Sequence, residues 1–335
     1  MLPCRILRQL ERPASTSCAG NHRKAPRWDA AAMWAVIAAA LWVSCDGGAS
    51  SPSPDSFPLV WRMDRDVRIP NEINGQIVNP LAPDVVVLPD RRFRMYYNVT
   101  ATGIGSATSS DGMEWTPEPG LRVTSRRIEG QDDFDLGHPT VLRLSDNTWR
   151  LYCQSTTGID TPPRWRSFAS TDGLTFTPES GFPLSLGGGN DLSFAGHGRV
   201  WIGKDSLIHG LYSGNTSDDS GPSDIGTILL GPNNTFDVID PHVFIDGHDP
   251  AAWKESDNSI TVVYAYLQSA FYFSRSTDDG ATWYSPVALT LVDPDGAPLK
   301  YADLGDVALF RRPDTSYLLM SNYFDGLRSF QPMAP

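Results

Sequence analysis

One unit recurs five times along this chain, and a repeat of that length restricts the fold more than any other feature. The clearest copy, residues 247–283, opens on Gly247-His248-Asp249-Pro250 and runs through an apolar strand to a turn at Glu255-Ser256-Asp257-Asn258. It returns as ITVVYAYL and FYFSRS and closes on a Ser-x-Asp-x-Gly-x-x-Trp segment from Ser276 to Trp283. A second copy leads from Ala82-Pro83-Asp84 through VVVL and FRMYYNV to Ser109, Asp111, Gly112 and Trp115. A third leads from Gly137-His138-Pro139 through TVLRL and TWRLYCQ to Ser170, Asp172, Gly173 and Phe176. Shorter copies begin at Gly196-His197 and Gly305-Asp306. With Asp84, His138, His197, Asp249 and Asp306 as markers, the intervals lie between 52 and 59 residues, so the units are equivalent.

Within each unit, runs rich in Val, Ile, Tyr, Phe and Trp alternate with Gly, Pro, Asp and Asn turns, and no sustained 3.6-residue period appears. The expected fold is all-β, a five-bladed β-propeller over residues 59–335, because radial repetition leaves only short, protected sheet edges. The last unit, from Asp306 onward, has room for two or three strands. The stretch near Val60 to Val67 is expected to close it from the N-terminal side.

The preceding residues read as a leader. Arg23, Lys24 and Arg27 precede an apolar stretch from about Ala30 to Val43, which ends at Ser44-Cys45 and a Gly/Ser/Pro run. Residues 1–44 are thus expected to be an upstream extension and signal peptide, with Met33 an alternative start, and residues 45–58 a tether. Cys45 sits as the acylated cysteine of a bacterial lipobox does, with Trp42 where that pattern prefers Leu. Export to a bacterial periplasm or cell surface follows, with a lipid anchor as the sole contact with membrane.

The net charge of −12 becomes more negative once the basic leader is removed, and such a surface repels phosphate backbones. No nucleic-acid partner is expected, and the chain is read as a monomer. Of the four cysteines, only Cys153 lies within the repeats and outside the leader and lipobox, in the apolar run LYCQ, where a small buried hydrophobe is expected.

In a propeller the first strand of every blade lines the axis, so residues at its entrance converge on one mouth of the channel. Asp84, His138, His197, Asp249 and Asp306, with His248 beside Asp249, are therefore the candidate site. The Ser-x-Asp turns carry structure instead: the Asp accepts from backbone amides, the Gly takes a positive φ and the aromatic packs between strands. Trp165 and Trp253 are candidate sugar-stacking platforms.

Ala-Pro-Asp-Val-Val at Ala82 to Val86, the Gly-His-Asp-Pro start, the Tyr-rich second strands and the Ser-x-Asp-Gly turns resemble the five-bladed glycosidases of the arabinanase, xylosidase and fructosidase kind. The turns themselves resemble the Asp-boxes of sialidase-like propellers. The resemblance implies glycoside hydrolysis of a carbohydrate without a required cofactor, with a first-blade Asp as base or nucleophile, matched by Asp84. It also implies an orienting Asp in the second blade and a Glu acid in the third. Here the sequence departs: His138 stands in the second blade, and residues 181–246 contain no Glu. An imidazole can serve as general acid near neutral pH, so His138 or His197 is the expected proton donor, with Asp249 and Asp306 orienting. Two alternatives stand beside hydrolysis: a carbohydrate-binding surface lipoprotein without catalysis, and a lectin-like site in which the His/Asp ring holds a divalent metal ion.

Overall fold

In the computed structural model, five antiparallel sheets are built from the repeats in chain order. The structure describes residues 57–333 apart from 101, 126, 129–130, 133–134, 157–162, 185–193, 216–222 and 268. The expected signal peptide, Cys45 and most of the expected tether lie outside the described residues.

The innermost strands of blades 1 to 5 are Pro80–Val87, Asp135–Arg143, Phe194–Ile202, Gly247–Lys254 and Val307–Arg311. Each pairs with the next strand in sequence: Phe93–Val99, Trp149–Thr156, Ile208–Asn215, Ile260–Tyr266 and Tyr317–Tyr323. These second strands read as nearly continuous apolar runs because a neighbouring blade covers each face; Phe93–Val99 is buried at every position. The core is accordingly divided into five clusters, one at each interface between blades. Tyr96 and Ile104 of blade 1 meet Leu151 and Phe168 of blade 2. Trp201 and Leu211 of blade 3 meet Ile260 and Tyr264 of blade 4.

Blade 5 is completed as expected. Val60–Pro70 pairs antiparallel with Gly326–Pro332, through Trp61↔Pro332, Met63↔Phe330 and Pro70↔Gly326. The same strand also pairs in parallel with Val287–Val292 of blade 4, through Val60↔Thr290. Trp61 is fully buried in the cluster between blades 4 and 5. Its Nε1 donates to the Pro58 carbonyl at 2.8 Å.

The Ser-x-Asp turns solve a backbone problem. In blade 2, Ser170 Oγ accepts from Gly173 N at 3.0 Å, and Asp172 Oδ1 accepts from Leu174 N at 2.7 Å and Thr175 N at 2.8 Å. Gly173 sits at φ 70°, which a side chain would resist. The blade 4 turn repeats the pattern with one more residue: Gly280 N reaches Ser276 Oγ at 2.8 Å and Trp283 Nε1 donates to the Gly280 carbonyl at 3.0 Å. The amide of Thr175, then that of Leu174, hold the Asp172 carboxyl down at about 2. A depressed carboxyl stabilises the fold above its unfolded value near 3.9, and that contribution is lost as pH falls through about 2. Asp172→Ala is expected to cost about 1 kcal/mol in urea denaturation at pH 7. The deficit relative to the unsubstituted chain narrows toward pH 3; a pH-independent deficit would mean that the carboxylate charge contributes nothing.

Candidate functional site

Four of the five innermost strands carry the same irregularity near their start. The pairing register slips between Leu81 and Asp84, between Gly137 and Thr140, between Gly196 and Gly198, and between His248 and Ala251. At each slip a residue other than glycine takes a left-handed backbone: Ala82 at φ 46°, His138 at 50°, His197 at 35° and Asp249 at 50°. Such conformations cost of order 1 kcal/mol apiece. A bulge re-aims one side chain out of the pleat, and in three of the four blades the re-aimed side chain, that of His138, His197 or Asp249, joins one group. In blade 5, Asp306 lies immediately before Val307–Arg311.

His138, His197, Asp249 and Asp306 each bring one nitrogen or oxygen into a group whose atoms all lie within 4.8 Å of one another. The imidazoles of His138 and His197 stack with centroids 3.4 Å apart and planes 16° from parallel. His138 Nδ1 meets Asp306 Oδ1 at 3.1 Å, His197 Nδ1 is paired with Asp249 Oδ1, and Asp306 lies 3.8 Å from His197 Nδ1. His248 joins from the other side, with Nε2 3.2 Å from Asp249 Oδ1 and Nδ1 2.5 Å from Ser223 Oγ. The Asp249 amide donates to Ser213 Oγ at 3.1 Å.

These contacts separate the protonation states. Burial opposes charge on His138, but the Asp306 carboxylate outweighs it and the imidazole lies above its ordinary value of 6.5. Burial, followed by the His138 ring, takes His197 below that value against the pull of Asp249. Burial would also raise Asp249, yet the imidazoles of His197 and His248 overcome it and hold the carboxyl far below the usual range. The stack therefore favours one imidazolium, which avoids two like charges face to face, beside a carboxylate that stays ionised.

Asp84 is not in this group, and the sequence correspondence is corrected here. The position equivalent to His138, His197 and Asp249 is Ala82, and Asp84 lies two residues further along its strand. There its Oδ2 accepts from Val141 N at 2.7 Å and its Oδ1 faces Arg199 Nε at 3.5 Å. Burial raises the Asp84 carboxyl against the pull of Arg199. Arg199 crosses the channel, with Nη2 2.6 Å from the Pro83 carbonyl and 3.4 Å from that of Val307, and Nη1 3.3 Å from that of Pro139. Asp84 and Arg199 form a floor that joins four blades beneath the His/Asp group.

The two tryptophans lie elsewhere. Trp165 is 1% exposed and packs against Tyr152 and Phe236 between blades 2 and 3, so it presents no face to a sugar. Trp253 is near the opposite end of the strand that carries His248 and packs between the cores on either side of blade 5. Sequence reading missed Arg199 and Ser223. A cation in the middle of the strand FAGHGRVWI is a signal that was present; Ser223 reaches His248 only through the fold.

No protein-family model matches the chain, and no curated protein does either. Solved structures do. A thermostable family-43 glycoside hydrolase superposes with a TM-score of 0.57 at 15% identity, covering 78% of this chain and 91% of that one. An alpha-L-arabinofuranosidase from Lactobacillus brevis gives 0.58 at 13%, covering 79% and 93%. A family 117 glycoside hydrolase from the marine bacterium Zobellia galactanivorans gives 0.54 at 14%, covering 82% and 90%. At such identities the likeness concerns architecture, and by it the chain is a five-bladed β-propeller of the form shared by these glycoside hydrolases.

Proposed function

We propose that the chain hydrolyses a glycosidic bond in a carbohydrate bound at the axial mouth. The observation that carries this reading is the pairing, within one group, of an imidazole displaced upward in pKa and a carboxylate displaced downward. Glycoside hydrolysis needs one protonated donor at the leaving oxygen and one anionic group at the sugar carbon. In the proposed roles His138 is the donor, Asp306 fixes its ring and its proton, and Asp249 is the anion, held by His197 and His248. The group is compact, with one nitrogen or oxygen from each of its four residues within 4.8 Å of the others.

The same convergence favours a second reading. One donor atom each from two imidazoles and two carboxylates within 4.8 Å suits a divalent ion such as zinc, which would then act as a Lewis acid or anchor sugar hydroxyls. One assay separates the readings: purified protein is offered arabinan, xylan, fructan, galactan and aryl glycosides, before and after chelation. The expected result is release of sugar from at least one, insensitive to chelator. Loss on chelation with recovery on added zinc would transfer the site to the metal reading. Binding without release under both conditions would leave a carbohydrate-binding module.

A further inference from the structure

On the same side of the propeller as the His/Asp group, a cavity of about 370 Å³ opens between blades 3 and 4, and the contacts already described do not account for it. His242, Phe244, Tyr264, Tyr266, Tyr272 and Pro286 line it. Its place follows from strand direction. Gly247–Lys254 starts at the axial mouth, so its antiparallel neighbour Ile260–Tyr266 ends there, and Tyr266 is the cross-strand partner of Gly247, next to His248. A second connection runs through adjacent residues of blade 3: Ser223 meets His248, and Asp224 holds His242 Nδ1 at 2.6 Å on the rim of the cavity. The cavity thus lies beside the site, outward from it between blades 3 and 4.

Its chemistry is narrow. Phe244 stacks on Tyr264 at 4.6 Å and 21°, Tyr264 on Tyr272 at 6.2 Å and 28°, and Tyr266 tilts against Tyr272 at 5.1 Å. Tyr266 and Tyr272 stay half-buried, while Ile245 is 66% and Leu267 47% exposed beside them. Burial, and then the phenols of Tyr272 and Tyr266, raise the Tyr264 hydroxyl, so Tyr264 stays neutral at physiological pH. Aromatic faces with hydroxyl edges match a sugar, which has apolar C–H faces and an equatorial rim of hydroxyls. In a chain of net charge −12, a lining whose basic ring, His242, is already paired with Asp224 offers no free cation to a polyanion beside a carboxylate-bearing mouth.

We propose that this cavity is a distal subsite for a neutral glycan chain, so that the substrate is an oligo- or polysaccharide whose further units lie between blades 3 and 4. The inference rests on the axial mouth being where the reacting sugar binds. It differs from that reading in assigning length selectivity to residues that take no part in bond cleavage.

The test compares probes of one and six sugar units from arabinan, xylan, fructan and galactan by calorimetry, using the full folded chain and the variants Tyr266→Ala, Tyr272→Ala and Ile245→Arg. The unsubstituted protein is expected to bind the six-unit form of at least one glycan more tightly than its monosaccharide. Each tyrosine variant is expected to reduce that advantage about tenfold, as loss of a central aromatic contact does. Ile245 is exposed, so Ile245→Arg obstructs the cavity without disturbing the core and reproduces the loss should an alanine variant fold poorly. An advantage unchanged in all three variants overturns the subsite, as does absence of any length preference in the unsubstituted protein. Tight binding of apolar peptides, with no glycan bound, overturns it in favour of a protein partner. If long glycans bind through the tyrosines and no bond is cleaved, the subsite stands and the hydrolytic reading falls.

Discussion

His138→Gln is expected to lower kcat on any glycoside the chain hydrolyses by roughly 10²–10⁴-fold, the usual contribution of a positioned general acid. Turnover of a substrate with a good leaving group changes less, because such a group departs without a proton, so the deficit shrinks on activated aryl glycosides. The pH profile gives the sharper reading. Asp306 holds the His138 imidazole above its ordinary value of 6.5, so the donor keeps its proton to higher pH than a free imidazole and the rate falls on the basic side of that value. Asp249 is displaced downward, so it stays ionised on the acid side. Asp306→Asn removes the carboxylate that raises His138 and is expected to move the basic limb to lower pH without removing the donor. The same linkage acts on stability. A raised imidazole stabilises the fold fully below its unfolded value of 6.5, and that contribution fades as pH rises through the folded value. A rate in His138→Gln within twofold of the unsubstituted protein, or an Asp306→Asn profile that does not move, would assign the proton to another group.

The architecture was legible in the sequence because its signals are local and repeated. Blade starts every 52 to 59 positions and apolar second strands specify blades, and a short last unit requires a strand from elsewhere, which Val60–Pro70 supplies. The convergence of His138, His197, Asp249 and Asp306 was legible for the same reason, since equivalent strands place equivalent residues around one axis. Register within the strand was not. Asp84 looked equivalent because it is the acidic residue of its unit, but the bulge fixes equivalence by backbone geometry, and Ala82-Pro83, His138-Pro139 and Asp249-Pro250 show the true alignment. A single displaced position moves a side chain to a different depth in the channel, and here it separates a site residue from one that supports the floor. Trp165 failed for a related reason. Arg164–Ser170 is a strand, and its indole packs into the core between blades 2 and 3. Contacts such as Ser223 with His248 join residues from separate strands, and no spacing in the chain announces them.

Arg199→Ala is expected to be the most destabilising single change at the axis, costing about 3–5 kcal/mol, because it leaves a buried carboxylate without its cation. Asp84 is 8% exposed, and the Arg199 side chain is its ion-pair partner at 3.5 Å. The guanidinium also donates to the carbonyls of Pro83, Pro139 and Val307, which belong to the inner strands of blades 1, 2 and 5. Truncation therefore orphans acceptors in three blades as well as the carboxylate, and burial, which already raises Asp84, then acts unopposed by its nearest charge. The carboxyl is expected to take up a proton in the variant, so that its deficit in urea denaturation grows from pH 5 to pH 8. Arg199→Lys recovers only part of the loss, since a single ammonium on a flexible stem cannot reach several carbonyls at once. The double change Asp84→Leu with Arg199→Met separates pairing from packing: replacing both partners removes the unpaired charge, and recovery of most of the lost stability is the expected outcome. If the double variant is as unstable as Arg199→Ala, the carbonyl contacts rather than the ion pair hold the blades together. If Arg199→Ala costs less than about 1 kcal/mol, neither does, and closure of the ring must rest on the interfaces between blades and on the strand around Trp61.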